Sequence, residues 1–244
     1  MRFYVSPEYI YSEQKRIEIK DKSELRHIRD VMRLAPGSEV VVFDGTGMEY
    51  LGRIKGINRS SVAIDIIRKI ERKEDMIPDI TLYQAIPKKG RMDLIVEKAV
   101  ELGVTRVTPM ITERTIPAII GKAGKKQERW SRIAMTAAKQ CGRAKLPLVA
   151  GVMDFEDCLE ESEKSGFVAF AALDKNARPL KELLKSSRAK NISVFVGPEG
   201  DFSQKEIELA RSKGYAICSL GESVLRVETA AIYILSCVNY EYSS

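Results

Sequence analysis

With a single histidine, His27, in 244 residues, the chain has no material for a metal site or catalytic triad built on several histidines. Acid–base chemistry, if any, falls to other groups. Cysteine is scarce as well: Cys141, Cys158, Cys218 and Cys237 are scattered, with no Cys-x-x-Cys pair. That spacing argues against disulfides and a zinc site and fits reduced thiols in a cytoplasmic protein. No apolar run approaches the roughly 20 residues of a membrane span. The opening MRFYVSPEYI has no positive region followed by an apolar core and a cleavage site, so no secretory signal is expected. A phosphate loop is also missing. GKAGKK (121–126) does not complete Gly-x-x-x-x-Gly-Lys-Ser/Thr, and DGTGMEY (44–50) lacks the third glycine and the helix of a dinucleotide fingerprint, so it reads as a hairpin turn. ATP and NAD sites have little support.

What is present is an ordinary globular composition, 44% hydrophobic and 30% charged, long enough for one large domain or two modest ones. The formal charge of +6 is modest, but it is unevenly spread. From Arg114 to Lys145 there are nine Lys/Arg and one acid, Glu128, while DFEDCLEESE (154–163) is acidic. The basic stretch suits either a polyanion, whose phosphates it would neutralise, or a solvated helix face.

The first 70 residues read as short strands with turns: RFYV (2–5), RIEI (16–19), EVVVFDGTGMEYLGRIKGI (39–57) as two strands around a glycine turn, and SVAIDIIRKI (61–70). SELRHIRDVMRL (23–34) has helical spacing, with Ser23 available as N-cap. A small β-rich module, a barrel with one helix, is expected. ERKEDMIPD (71–79) reads as the linker. Beyond it strands alternate with helices: DITLYQAI (79–86), RMDLIVEKAVELG (91–103), VTRVTPMIT (104–112), QERWSRIAMTAAKQCGRA (127–144), FVAFAAL (167–173), ISVFVG (192–197), SQKEIELARSKG (203–214), AICSLG (216–221) and VETAAIYILSCVNY (227–240). Ser203 and Glu206 suit a capping box. Short apolar strands between helices predict a largely parallel sheet covered on both faces.

Two loops leave the carboxyl ends of expected strands and open helices, where open α/β sheets bind ligands: VGPEGDF (196–202) and LGESVLRVETAAI (220–232). Read as loops on adjacent strands, they bring Glu199, Glu222, Arg226, Glu228 and Thr229 toward one pocket. The Gly-x-x-Gly turn has the skeleton of a phosphate cradle, yet Glu199 and Asp201 would repel a phosphate.

GPEG, LG-x-x-x-LR-x-ETA, KG-x-x-x-x-x-x-EKAVELGV (89–104) and RW-x-RIA-x-x-AAKQCGR (129–143), taken together and in this order, resemble the RsmE family. Its members are SPOUT-class methyltransferases that use S-adenosyl-L-methionine to methylate ring nitrogen 3 of a uridine in small-subunit (16S) ribosomal RNA. HIRDVMRLAPGSEVVVFDGTG (27–47) resembles the family's PUA-like RNA-binding module. The resemblance implies a PUA-like β-barrel domain over 1–72 and an α/β SPOUT domain with a C-terminal trefoil knot over 73–244. It further implies a homodimer in the cytoplasm, no metal and no membrane. For the cofactor it implies Leu173, Gly197, Glu199, Gly200, Leu220, Gly221, Leu225, Arg226, Thr229 and Ala230. The chain departs from the family at Asp201, where a glycine is usual; Asp tolerates left-handed backbone better than most residues.

Ring nitrogen 3 of uracil is a poor nucleophile until its proton leaves, so a base must take it or cationic donors must stabilise the anion. With no histidine near these loops, Glu199 is the candidate for base or uridine-orienting group, and Arg226 and Arg2 for holding a carbonyl or phosphate. RNA contacts are expected from Arg2, Arg26, His27, Arg29, Arg33, Lys88, Lys89, Arg114, Arg129, Arg132 and Arg143. Another SPOUT methyltransferase with a different rRNA or tRNA target, or a non-catalytic ribosome-assembly protein, are the alternatives.

Overall fold

A computed structural model describes residues 1–70, 78–88, 90–115 and 123–242. Most of the expected linker, Lys89 and Lys122 lie outside the described residues. The chain divides into two compact units, Met1–Glu74 with Ala138–Leu146, and Asp75–Ala137 with Pro147–Ser244.

In the first unit, β1 (Arg2–Tyr4), β2 (Ile10–Tyr11), β3 (Arg16–Ile19), β4 (Glu39–Phe43), β5 (Glu49–Ile57) and β6 (Val62–Ile70) form one sheet in the order β1-β4-β5-β6-β3-β2. Alternation along the strands sends Ile17, Ile19, Val40, Val42, Val62 and Ile64 into a single core with Phe3 and Ile54. β1 and β2 end the sheet without pairing to each other, so the expected barrel is a six-stranded sheet not closed by a ladder among the described residues.

The expected helix 23–34 is interrupted. Asp21, not Ser23, is the cap: its Oδ1 accepts the Ser23 and Glu24 N–H groups, each at 2.9 Å. The helix α1 (Lys22–Arg26) runs into a π-helical turn, His27–Val31, and Arg33 at φ 49° ends it. α1 and the turn still deliver Leu25 and Ile28 to the core, so the hydrophobic spacing is met despite the wider turn. Ala138–Leu146 joins this unit through named contacts. Lys139 pairs with the buried Glu24, Arg2 Nη2 donates to the Arg143 carbonyl at 2.7 Å, and the Leu146 N–H donates to the Gly45 carbonyl at 2.9 Å.

The second unit is a parallel sheet of β7 (Asp79–Ala85), β8 (Arg106–Ile111), β9 (Leu148–Val149), β10 (Met153–Asp154), β11 (Phe167–Ala171), β12 (Arg178–Pro179), β13 (Asn191–Val196) and β14 (Ala216–Ser219). Its order is β10-β8-β7-β13-β11-β14-β12, with β9 on β8. The helices are α2 (Met92–Glu101), α3 (Ala123–Cys141), whose residues from Ala138 on belong to the first unit, α4 (Phe155–Ser162), α5 (Leu180–Ser186), α6 (Gln204–Ser212) and α7 (Val227–Tyr242). β11 and β13 are the near-continuous apolar strands, and both lie mid-sheet, as strands buried on two faces must. Aromatic rings extend the core: Tyr83 stacks on Phe195 at 4.5 Å, and Phe170 meets Phe202 at 4.3 Å. The capping box is present at α6, where Ser203 and Glu206 satisfy each other's N–H groups.

One expectation is corrected. β13 and β14 are not neighbours, because β11 pairs with both and lies between them. The loop after β11 therefore joins the other two.

Candidate active site

Because the sheet is parallel, β11, β13 and β14 all point their carboxyl ends the same way, and the loops after them enclose a cavity of about 510 Å³. That volume is typical of small-molecule sites. Of the residues that the resemblance implies for the cofactor, Leu173, Gly197, Glu199, Leu220, Gly221, Leu225, Arg226 and Ala230 line it. Gly200 and Thr229 are not among the lining residues; Thr229 is exposed on α7, and Gly200 turns its carbonyl to Arg114.

The GPEG loop is tightly specified. A Cβ on Gly197 would meet the Phe202 ring at 3.1 Å and Asp201 Oδ1 at 3.2 Å, closer than most side-chain contacts, so only glycine fits comfortably. Asp201 adopts φ 60°, the left-handed conformation that Asp tolerates. Its Oδ2 accepts the Leu173 N–H at 2.6 Å, tying the β13 loop to the β11 loop. Arg114 donates through Nη1 to the carbonyls of Gly200 and Phe202. The capping-box Glu206 has two tasks: Oε2 accepts the Ser203 N–H at 2.7 Å and Oε1 the Glu113 N–H at 3.0 Å.

Glu199 is anchored from an unexpected direction. Its Oε1 accepts the Lys88 N–H at 2.9 Å and faces Arg91 Nη1 at 3.4 Å. The same Arg91 nitrogen lies 3.7 Å from Glu228 Oε2, a buried atom with no hydrogen bond from the described residues. Arg91, Asp174, Lys175 and Asp201 also line the cavity and were not singled out as site residues. Asp201 carried a signal, a carboxylate in a glycine turn; Arg91 carried none, lying over a hundred residues before its partner Glu199.

Carboxylates of Asp174, Glu199 and Asp201 are balanced by Arg91, Lys175 and Arg226. The Asn176 N–H, with the Arg211 guanidinium at 3.0 Å, holds the Asp174 carboxyl below the usual carboxylate range. Arg226 is exposed, and its guanidinium makes no bond to a described residue. Cys218 is in the wall, but burial pushes its thiol up to about 12, so it is protonated at neutral pH and is no nucleophile. Leu220, Val224 and Leu225 add apolar surface.

The remaining expected residues are spread out. Arg2 belongs to the first unit, where its guanidinium pairs with Glu49 and lies 4.6 Å from the Phe43 ring centre; it does not line the cavity. His27 packs edge-on against Phe3 at 5.7 Å, and Arg29 donates to the Arg59 carbonyl at 3.3 Å. Arg143 is half-buried. Arg26, Arg33, Lys88, Arg114, Arg129 and Arg132 are exposed, Arg129 paired with Asp93 at 3.0 Å and Arg132 donating to the Glu128 carbonyl at 3.2 Å. Lys89 lies outside the described residues.

A parallel sheet whose strand-end loops enclose a small-molecule cavity, preceded by a small β-rich unit, defines a two-part α/β protein. Residues 73–239 match the RNA methyltransferase domain and residues 19–67 the RNA methyltransferase PUA domain. The chain belongs to the ribosomal RNA small subunit methyltransferase E family. It is 34% identical to that methyltransferase of Aquifex aeolicus over 235 residues, covering 93% of this chain and 96% of the relative. With the Bacillus subtilis protein it shares 29% over 233 residues, 89% of this chain and 88% of the relative. The crystal structure of the Neisseria gonorrhoeae enzyme bound to S-adenosyl methionine superposes with a TM-score of 0.85 at 29% identity, over 98% of this chain and 96% of that one.

Proposed function

We propose that the protein is an S-adenosylmethionine-dependent methyltransferase acting on ring nitrogen 3 of a uridine in small-subunit ribosomal RNA. The cavity at the three strand ends carries this reading. Its residues fit the cofactor: cations and carboxylates stand among apolar walls, as a ligand with a sulfonium, an amine and a carboxylate requires, and the described residues hold no phosphate cradle. Leu220 and Leu225 suit the faces of an adenine ring, and the backbone of the glycine turns suits its polar edge. When bound, S-adenosylmethionine supplies an electrophilic methyl group.

The chain's own residues do the rest. Arg226, whose guanidinium has no partner among the described residues, is placed to hold a uracil carbonyl or a phosphate and to stabilise negative charge as the nitrogen 3 proton leaves. Glu199 takes that proton or orients the base, with Arg91 and the Lys88 N–H fixing one oxygen so that the other is presented in a set direction. Nitrogen 3 lies on the Watson–Crick edge, so the uridine must be unpaired or flipped out. Exposed Arg26, Arg33, Lys88, Arg114, Arg129 and Arg132 suit contacts to the surrounding backbone. Arg2, already paired within the first unit, suits a positioning role in that unit better than chemistry.

The same reading takes residues 1–72 as the RNA-binding domain and 73–244 as the catalytic domain. It includes a C-terminal trefoil knot, which rests on the resemblance to the RsmE family. It also includes a homodimer, for which exposed Tyr233 and Tyr240 on α7 offer contact surface, and a cytoplasmic location, which the unpaired cysteines support. No helix among the described residues is long and apolar enough to cross a membrane.

Incubation with labelled S-adenosylmethionine and either small subunits or naked 16S RNA, followed by mass identification of the nucleoside, tests the proposal. Three-methyluridine at one site is expected; another methylated nucleoside, or none, overturns it. Calorimetry on Asp201 variants tests the cavity separately. Asp201→Gly keeps the backbone conformation but loses the bond to Leu173, so S-adenosylhomocysteine binding is expected to weaken about tenfold. Asp201→Asn, still an acceptor, should stay within threefold of wild type. Equal affinities in both variants would remove the Asp201–Leu173 tie from cofactor binding.

A further inference from the structure

Residues 175–190 carry six cations, Lys175, Arg178, Lys181, Lys185, Arg188 and Lys190, against one acid, Glu182. All six are exposed, and none forms an ion pair with a described residue. Cations elsewhere in the second unit behave differently: Arg211 pairs with Asp174, Lys213 with Glu163 and Arg106 with Glu161. α5 buries Leu180, Leu183 and Leu184, which leaves Lys181 and Lys185 one turn apart on the outer side. Like charges at that spacing destabilise a helix, so local stability does not account for them.

Their position does. Lys175 lines the cavity itself. Arg178 lies on β12, the edge strand, in register with Cys218, and Pro179 is in register with Ser219; both partners are in the cavity wall. α5 then carries Lys181 and Lys185 onward from that edge. In chain order these cations run from the cavity wall to the edge strand and on along α5, apart in sequence from the basic stretch 114–145.

We propose that Lys175, Arg178, Lys181 and Lys185 form a track for the backbone phosphates of the single-stranded RNA segment that carries the target nucleotide into the cavity. This rests on the RNA methyltransferase reading above. Unpaired phosphates suit such a line because spaced point charges follow a flexible backbone without reading its sequence.

The test compares wild type with Arg178→Gln/Lys181→Gln/Lys185→Gln, leaving Lys175 intact, for binding of a 16S RNA fragment across salt concentrations. The triple variant is expected to bind about tenfold more weakly at low salt, with the logarithmic salt slope shallower by about 2, as loss of three single-strand phosphate contacts implies. S-adenosylhomocysteine affinity and thermal midpoint should be unchanged, and Arg178→Lys/Lys181→Arg/Lys185→Arg should restore binding. RNA affinity within twofold of wild type and an unchanged slope overturn the track. A wild-type protein that binds no RNA overturns the function itself, and the track with it.

Discussion

Glu199→Gln is expected to slow single-turnover methyl transfer by about 100-fold or more, the usual contribution of a positioned general base. Glutamine can still accept the Lys88 N–H at the position of Oε1, so the loop should keep its shape. S-adenosylhomocysteine affinity is therefore expected to hold, placing the loss in the rate constant and not in binding. A variant at near wild-type rate would take Glu199 out of the base role. The weight would then pass to Arg226, stabilising the uracil anion after its proton goes to water.

The second large effect concerns stability. Lys139→Met is expected to destabilise the protein by about 3–5 kcal/mol, because it leaves a buried carboxylate without its cation. The Glu24 side chain is only 2% exposed, its Oε1 pairs with Lys139, and its Oε2 has no hydrogen bond from the described residues. Urea unfolding of Lys139→Met and of Lys139→Met/Glu24→Gln separates charge from packing, since the double variant removes the stranded charge and should recover most of the loss. A single variant within 1 kcal/mol of wild type would show that water reaches Glu24 and that the pair contributes little.

Local pattern made much of this fold readable. Ser203 and Glu206, three residues apart ahead of an apolar-periodic run, signal a helix start by mutual satisfaction of N–H groups, and the capping box is there. β11 and β13 read as buried strands because they lack polar alternation. Most cavity residues were legible through resemblance to a family, not through periodicity. What periodicity cannot carry is the order of strands: nothing local says that β11 lies between β13 and β14. The π-helical turn at His27–Val31 was hidden because its inward residue, Ile28, keeps ordinary helical spacing from Leu25 of α1. Arg91 was missed because its meaning comes from Glu199 and Glu228, which only tertiary structure brings near it.

Glu206 couples regions that seem independent along the chain. One carboxylate holds the amide of Ser203, at the start of α6, and the amide of Glu113, just beyond β8. Neither oxygen can leave its amide without moving the other. The end of β8 and the exit of the cavity loop thus share one opening event, so their amides exchange with solvent as a single cooperative unit.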